Sequence, residues 1–354
     1  MRNFNFLFLI LWLFACHNKK EVGLEEKSFS YSSFERTVHL SSRKFVFDSI
    51  LQPNKIHLKK GILIVSNLSG PRLIHLIKAD SMKYLNGKGI EGSGPGEILG
   101  GNIREFDPGL DPTTFWAYDL NSKRNYRFNL FDNEVLSNRV IIQKDDFFYG
   151  FSMHWRAEDE IVSYLSHDNY KFGIFDSTGQ SLTKVRPWSS EKEVEAVEGY
   201  VLSDLYQGPI DFNHNNNLLV HASVRHETFE IINLNLENPN SILITGPTGD
   251  PFEYEIEASG NQIGANISPN VKLGYNDVFI GEEAIFLVYI GQTPEELSRL
   301  GGLSTVLFEF DLNGKPVAQY KLDRNIKSIV VDELGRKIYA TTEDQDPGIA
   351  VFDY

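Results

Sequence analysis

The sequence predicts an all-β fold, a six-bladed β-propeller whose ring is closed by an N-terminal strand. Three observations lead to this prediction: short alternating strands run through the chain, one strand pattern recurs six times, and the last unit is incomplete. The recurring pattern is an alternating strand that ends in Asp or Asn. Its copies end at Asp80, Asp132, Asp176, Asn235, Asp311 and Asp353. Successive copies lie 42 to 76 residues apart, as expected for four-stranded blades with insertions.

The C-terminal residues show where the ring is cut. We call the four strands of a blade a to d, from the central channel outward. After a hairpin around Asn313-Gly314, three strands of a sixth blade follow at residues 326–331, 337–342 and 348–353. These are strands a, b and c, and the chain stops before d. Because an open sheet edge is unfavourable, residues 34–40 are predicted to pair with residues 348–353 as the missing outer strand.

The N-terminal residues predict an exported lipoprotein. Residues 4–14 are a nearly unbroken apolar run after Arg2, too short to span a bilayer and typical of a signal peptide. The ending Ala15-Cys16 resembles a lipobox, which predicts a signal peptide at residues 1–15 and lipidation of Cys16, the only cysteine. The alternative is an ordinary secretory signal that happens to contain a cysteine.

The domain organisation follows from these two ends. Residues 16–33 are polar and lack alternation, so they are predicted to form a flexible tether between the lipid and the propeller. Residues 34–354 are predicted to form the propeller itself. The expected location is the cell envelope, anchored to a bacterial membrane and facing the periplasm, with exposure on the cell surface as the alternative.

Charge restricts the possible partners. The formal net charge is −14, and the acidic residues are spread along the chain. Such a surface repels the phosphate backbone of nucleic acid, so no nucleic-acid partner is expected. The simplest explanation of the acid excess is solubility, and attraction of basic partners is the alternative.

A glycine-rich segment lies between the first two predicted blades. It contains a formal match to the dinucleotide-binding pattern, but its five glycines and Pro95 are incompatible with the helix that would hold a pyrophosphate. We interpret it as a turn-rich crossover. The run from Gly92 to Glu97 (GSGPGE), followed by a strand, together with the repeated hairpins, resembles the six-bladed propeller lipoproteins of Bacteroidota. That family is similar to the NHL and TolB-type propellers, and the resemblance implies this fold and a cell-envelope setting.

Blade geometry predicts which face of the ring binds a ligand. The d-to-a and b-to-c connections share one face, and the a-to-b and c-to-d turns share the other. The long connections all belong to the first face, at residues 86–101, 186–208, 246–275 and 291–303. Binding residues concentrate on long loops over a rigid scaffold, so this long-loop face is the predicted binding surface. In the last connection, Thr293 and Glu296 form a capping-box pattern that predicts a short helix.

No catalytic constellation stands out in the sequence. His214, His221 and His226 lack metal-ligand spacing, so no metal site and no cofactor is expected. The candidate ligand-binding residues are those whose positions along the predicted strands and loops place them at the long-loop face. Two of them are tryptophans, which could stack on a sugar or pack between blades. The candidates are Arg104, His154, Trp155, His167, Trp188, Asp211 and His226.

Two classes of function remain open. The first is a non-enzymatic envelope lipoprotein that binds a protein, small molecule or carbohydrate through the long-loop face. The second is a propeller hydrolase or lactonase-like enzyme with a metal in the central channel, which requires convergent Glu, Asp and Asn side chains at the channel mouth. The sequence favours the first class.

Overall fold

The computed structural model shows a ring of six four-stranded antiparallel blades. It describes residues 23–107, 109–148, 150–188, 199–235, 240–259, 262–300 and 304–354. The strands, in chain order, are β1 (Gly23–Ser28), β2 (Arg36–Leu40), β3 (Ser42–Phe45), β4 (Pro53–Lys59), β5 (Ile62–Asn67), β6 (Ile74–Lys78), β7 (Lys83–Lys88), β8 (Ile103–Asp107), β9 (Thr114–Asp119), β10 (Arg124–Asn129), β11 (Arg139–Ile142), β12 (Gly150–Ala157), β13 (Glu160–Leu165), β14 (Tyr170–Asp176), β15 (Ser181–Pro187), β16 (Ile210–Asn213), β17 (Leu218–Ala222), β18 (Thr228–Asn233), β19 (Asn240–Thr245), β20 (Tyr254–Ser259), β21 (Gln262–Ile267), β22 (Tyr275–Ile280), β23 (Ala284–Tyr289), β24 (Ser304–Asp311), β25 (Pro316–Asp332), β26 (Lys337–Thr342) and β27 (Ile349–Asp353).

Consecutive strands make consecutive blades. Blades 1 to 4 consist of β4 to β7, β8 to β11, β12 to β15 and β16 to β19, each in antiparallel order. Blade 5 is β22, β23, β24 and the first part of β25. The second part of β25 is strand a of blade 6, followed by β26 and β27, so the two blades form one continuous eight-stranded path with β3 at its end. The predicted six-bladed propeller is confirmed.

The hydrophobic core is divided among the blade interfaces. Each of six buried clusters in the described residues takes its side chains from two neighbouring blades, including the contact between blade 6 and blade 1. Phe286 and Ile338, for example, belong to the cluster between blades 5 and 6, and neither side chain is exposed. Because the b strands β5, β9 and β23 are buried on both faces, their blades pack on two neighbours and the ring needs no single central core.

An N-terminal strand closes the ring, but it is not the predicted one. β3 pairs antiparallel with β27, with Phe45 opposite Ile349, and so serves as strand d of blade 6. The predicted closing residues 34–40 instead form β2, which adds to the outer edge of blade 5 by pairing parallel with β25. Both segments have the composition of a strand. The closing strand begins at residue 42 and not at residue 34, because the N-terminal segment first adds β1 and β2 outside the blades.

The prediction of a flexible tether over residues 16–33 is wrong for its second half. β1 pairs parallel with β19 at the outer edge of blade 4, from Gly23 opposite Asn240 to Ser28 opposite Thr245. Phe29, next in the chain, is buried and lies edge-on to the rings of Phe308 and Phe310. Residues 1–15 and Cys16 lie outside the described residues.

The long connections carry their own secondary structure. α1 (Gly199–Leu205) lies between blades 3 and 4, and the hairpin of β20 and β21 lies between blades 4 and 5. α2 (Pro294–Leu300) lies between strands b and c of blade 5. Its capping box is confirmed, because the Glu296 N–H donates to Thr293 Oγ1 (3.2 Å) and the Thr293 N–H donates to a Glu296 carboxylate oxygen (2.9 Å).

Candidate functional site

The inner strands bring a set of charged side chains to the central channel. Lys55 on β4 donates to Asp277 on β22 (2.6 Å) and lies 3.3 Å from Glu105 on β8. Burial alone would lower the pKa of the Lys55 ammonium, but Asp277 and Glu105 raise it well above its usual range. The ammonium therefore stays charged and fixes two carboxylates from two other blades.

His154 connects three blades from the opposite side of the channel. Its Nδ1 lies 3.2 Å from an Asp107 carboxylate oxygen, and its Nε2 lies 3.0 Å from the Ile210 carbonyl oxygen. Both partners are acceptors, so both ring nitrogens must carry protons. Burial opposes this charge, but Asp107 and Asp211 raise the pKa of His154 to about 9, and the side chain is an imidazolium at neutral pH. Burial raises the pKa of Asp211 to about 6.

Three aspartates on the a strands connect blade 2 to blade 3, blade 4 to blade 5 and blade 5 to blade 6. Asp107 accepts the Trp155 N–H, Asp211 accepts the Ile280 N–H, and Asp277 accepts the Ile329 N–H, at distances of 2.9 to 3.0 Å. Each contact crosses from the strand a of one blade to the strand a of the following blade. Sequence reasoning singled out only Asp211. Asp107 and Asp277 could also have been identified, because the sequence shows an Asp within strand a of several blades.

A polar cavity of about 170 Å³ opens where the inner strands begin, on the long-loop face. Its lining comes from five blades and includes Asn54, Lys55, Arg104, Glu105, Pro209, Val224, Asn276, Asp277, Lys327 and Ser328. Arg104 is half-buried there, with its guanidinium 4.8 Å from the centre of the Phe151 ring. Its Nε atom is buried and has no acceptor among the described residues. The lining of this cavity thus includes a donor whose hydrogen bond is not made within the described residues.

The structure brings three of the seven predicted binding residues together along the channel. Arg104 lines the cavity at its mouth, and His154 and Asp211 lie deeper, 3.9 Å apart. His154 is only 5% exposed and has an acceptor at each ring nitrogen, so it serves the ring and not a ligand. Trp155 lies near the end of β12, at a cavity on the side of the a-to-b turns, so its predicted position on the long-loop face is wrong.

The other three predicted residues lie beside α1. Trp188 is buried, with the Lys171 ammonium 4.7 Å from its ring centre. His226 packs against Phe252, and its burial lowers its pKa to about 4, so it is neutral. His167 is exposed, and its backbone N–H donates to Ser203 Oγ (2.8 Å). These three residues pack the long connections against blades 3 and 4 and do not reach the channel mouth.

The channel offers a metal little room. In the part of the chain that the structure describes, no group of three or more His, Cys, Asp or Glu side chains is placed to hold an ion. Glu105 and Asp277 converge at the channel mouth, where the Lys55 ammonium already lies between them, and Asp107 and Asp211 lie deeper beside the His154 imidazolium. A divalent cation would have to displace that ammonium.

Six blades around a charge-filled channel make the protein a six-bladed β-propeller. It belongs to the TolB-like 6-blade propeller-like family, whose model matches residues 28–334.

Two solved structures show the same fold. A protein from Bacteroides fragilis NCTC 9343, assigned to the exported class, has a TM-score of 0.55 and 13% identity, covering 93% of this chain and 98% of that chain. The β-propeller domain of Cps50 (Swd1) from Myceliophteria thermophila has a TM-score of 0.50 and 11% identity, covering 88% of this chain and 99% of that chain. At such identities the likeness concerns the fold alone. No match was found among curated proteins. None of the helices in the described ranges is long and apolar enough to span a membrane.

Proposed function

We propose that the protein is a non-enzymatic lipoprotein of the bacterial cell envelope that binds a ligand or partner at the channel mouth of its long-loop face. The observation that carries this proposal is the buried Nε–H of Arg104, which lines the mouth cavity without an acceptor. A buried donor left without a partner costs about 1 to 3 kcal/mol, and a ligand that supplies an acceptor recovers this free energy.

The chemistry of the mouth indicates what the ligand presents. Lys55 is already held by Glu105 and Asp277, and Lys327 lies 3.5 Å from Glu343. Arg104 is therefore the cation of the cavity lining that has no carboxylate partner among the described residues, and its guanidinium lies 4.8 Å from the centre of the Phe151 ring. A planar guanidinium favours a carboxylate or a carbonyl oxygen, which can come from a small polar molecule or from a protein partner.

Several observations support the envelope setting. The predicted signal peptide and lipobox end at Cys16, seven residues before β1 begins. At about 3.5 Å per residue, that stretch reaches at most about 25 Å, so a lipid on Cys16 would hold the ring near the membrane surface. The similar protein from Bacteroides fragilis is assigned as exported.

The same channel geometry argues against the enzymatic alternative. A propeller hydrolase with a channel metal needs free carboxylates at the mouth, whereas Glu105 and Asp277 share Lys55 and Asp277 also accepts the Ile329 N–H. These groups hold the blades in register. We therefore assign a structural role to the charged residues of the channel and a binding role to the channel mouth.

Capture on immobilised protein tests the binding role. The chain from residue 17 onward is used as wild type, Arg104→Ala and Arg336→Ala, and molecules retained from an envelope extract are quantified by mass spectrometry. Arg336 is a matched control, because it is an exposed arginine that also stacks on an aromatic ring, 4.2 Å from the centre of Tyr354. We expect specific retention by the wild type and the control, and at least a tenfold loss with Arg104→Ala. Equal retention by all three proteins contradicts the assignment of the mouth.

Cell fractionation tests the anchor separately. Cys16→Ser should move the protein from the membrane fraction to the soluble fraction and remove the mass of the acyl chains. A variant that stays in the membrane with unchanged mass contradicts lipidation and leaves the binding experiment unaffected.

A further inference from the structure

We propose a second binding site, between blades 2 and 3 on the side of the a-to-b turns, whose ligand is an acidic saccharide, that is, a hydroxyl-bearing ring with a carboxylate. The site is a cavity of about 360 Å³, twice as large as the one at the channel mouth. Its volume lies within the range of about 300 to 1,000 Å³ that small-molecule sites occupy. Its lining includes Gly109, Trp116, Arg127, Arg139, Trp155 and Asp159.

Two arginines lie side by side in the wall of this cavity, with no counter-ion among the described residues. Arg127 on β10 and Arg139 on β11 are directly opposite each other in the antiparallel register. Each guanidinium lies 5.8 Å from the centre of the Trp116 ring. Arg127 donates to the side-chain oxygen of Asn138 (2.9 Å), and neither arginine has a carboxylate within ion-pair distance among the described residues.

Such an arrangement is unfavourable in the absence of an anion. Like charges directly opposite each other on neighbouring strands repel, and nothing in the described part of blade 2 relieves the repulsion between Arg127 and Arg139. Their stacking on Trp116 holds both planar groups in place while their N–H edges stay available. A carboxylate placed between two guanidinium groups accepts charge-assisted hydrogen bonds from both.

The cavity also contains a buried hydrogen-bond donor. Trp155 is 3% exposed, and its indole N–H has no acceptor among the described residues. Its ring packs on that of Trp116, with the centroids 4.9 Å apart and the planes tilted by 33°, so each indole occupies part of the other's face. A ligand is therefore recognised here by hydrogen bonds and not by stacking, which distinguishes this site from an aromatic platform.

The rim of the cavity supplies acceptors for hydroxyl groups. Glu158 and Asp159, in the a-to-b turn of blade 3, are exposed at the opening. Opposite them, Gly109 brings its backbone against Trp116: a Cβ added there would lie 3.0 Å from the indole, and the φ of +58° favours glycine. Arginines on the blade 2 wall and carboxylates at the opening match a molecule that carries one carboxylate and several hydroxyls.

Tryptophan fluorescence gives a direct readout of this site. The chain from residue 17 onward contains three tryptophans, and Trp116 and Trp155 both line the cavity. The probe is D-glucuronate, and its matched control is D-glucuronamide, which has the same ring and a neutral amide in place of the carboxylate. We expect a saturable fluorescence change with glucuronate and at least a tenfold weaker response with the amide.

Variants then identify the groups that bind. Arg139→Ala is expected to weaken glucuronate binding at least tenfold, and Trp155→Phe, which keeps a ring but removes the N–H, should weaken it several-fold. Arg336→Ala should bind like the wild type, because this residue lies at neither cavity. The melting temperature of each variant is measured first, so that a loss of binding is not a loss of fold.

Three results overturn the proposal. The first is no saturable fluorescence change up to about 10 mM glucuronate, which is ten times a weak Kd of about 1 mM. The second is equal binding of acetate, which shows that the site takes a carboxylate without the saccharide. The third is unchanged glucuronate binding by both Arg139→Ala and Trp155→Phe. Arg104→Ala is tested in the same series: a glucuronate response that is lost with Arg104→Ala and kept with Arg139→Ala belongs to the channel mouth, so failure of the two sites is distinguished.

Discussion

The central channel and the cavity between blades 2 and 3 use the same kinds of side chain in opposite ways. In the channel, Lys55 and His154 each have acidic partners from other blades. In the cavity, Arg127 and Arg139 have none among the described residues and lie opposite each other. Charges that are paired across blades fix the geometry of a ring. Charges that a fold leaves unpaired beside a cavity indicate a ligand, and this difference predicts how mutations at the two places will behave.

The largest effect is expected from removing a channel carboxylate. Asp277→Ala takes away the closest partner of Lys55 and the acceptor of the Ile329 N–H. Breaking a buried ion pair in this way costs about 3 to 5 kcal/mol, which should appear as a lower free energy of unfolding in urea. The control Asp353→Ala removes an exposed partner of Lys337 and should cost less than about 1 kcal/mol. Equal losses from the two variants would show that the channel pair is not structural.

A smaller effect is expected from raising the pH. The pKa of His154 is about 9 in the folded protein and about 6.5 when unfolded, so its stabilising contribution is complete below pH 6.5 and is lost as the pH rises through 9. Between pH 7 and pH 10 the loss is on the order of 2 to 3 kcal/mol. The measurement is the difference in unfolding free energy between the wild type and His154→Gln at each pH.

That difference should shrink as the pH rises, because the variant lacks the charge from the start. Comparing the two proteins cancels the titration of other groups, including Lys123, whose pKa burial lowers to about 8. A constant difference across this range would mean that His154 is neutral in the folded protein, which both of its acceptors argue against.

The smallest effect on stability is expected at the cavity. Arg139→Ala removes an exposed side chain and one of two like charges that oppose each other, so the free energy of unfolding should change by less than about 0.5 kcal/mol. Thermal unfolding checks this value. An unchanged free energy of unfolding, together with the loss of glucuronate binding, would distinguish Arg139 as a binding residue from Asp277 as a structural one. A destabilisation as large as that of the channel variant would place Arg139 among the structural charges.

The blades were predictable from the sequence because each strand carries its own alternating pattern. The C-terminal strands, the six-fold repeat and the helix after Thr293 all follow from short stretches whose partners are close in the chain. β1 has no such signal, since Gly23–Ser28 is mostly polar and exposed. Its pairing depends on β19, which is more than two hundred residues away, and no local pattern in the sequence connects the two strands.

The candidate sites were predictable only in part. Arg104 was correctly placed near the start of an inner strand, whereas Trp155 was placed on the wrong face because it lies two residues before the end of the eight-residue strand β12. Arg127, Arg139 and Trp116 were missed altogether. They lie on three different strands of blade 2, and only the antiparallel register brings them together. No local motif connects them.

The N-terminal segment has a consequence for the order of assembly. β1, β2 and β3 add to blades 4, 5 and 6 in turn, so each of these strands pairs with a strand made more than two hundred residues later. The early blades can form while the chain grows, but residues 42–45 must wait for β27. A nascent chain that stops before residue 349 leaves both an unpaired N-terminal strand and an open blade edge, which makes truncated products prone to aggregation and accessible to proteases.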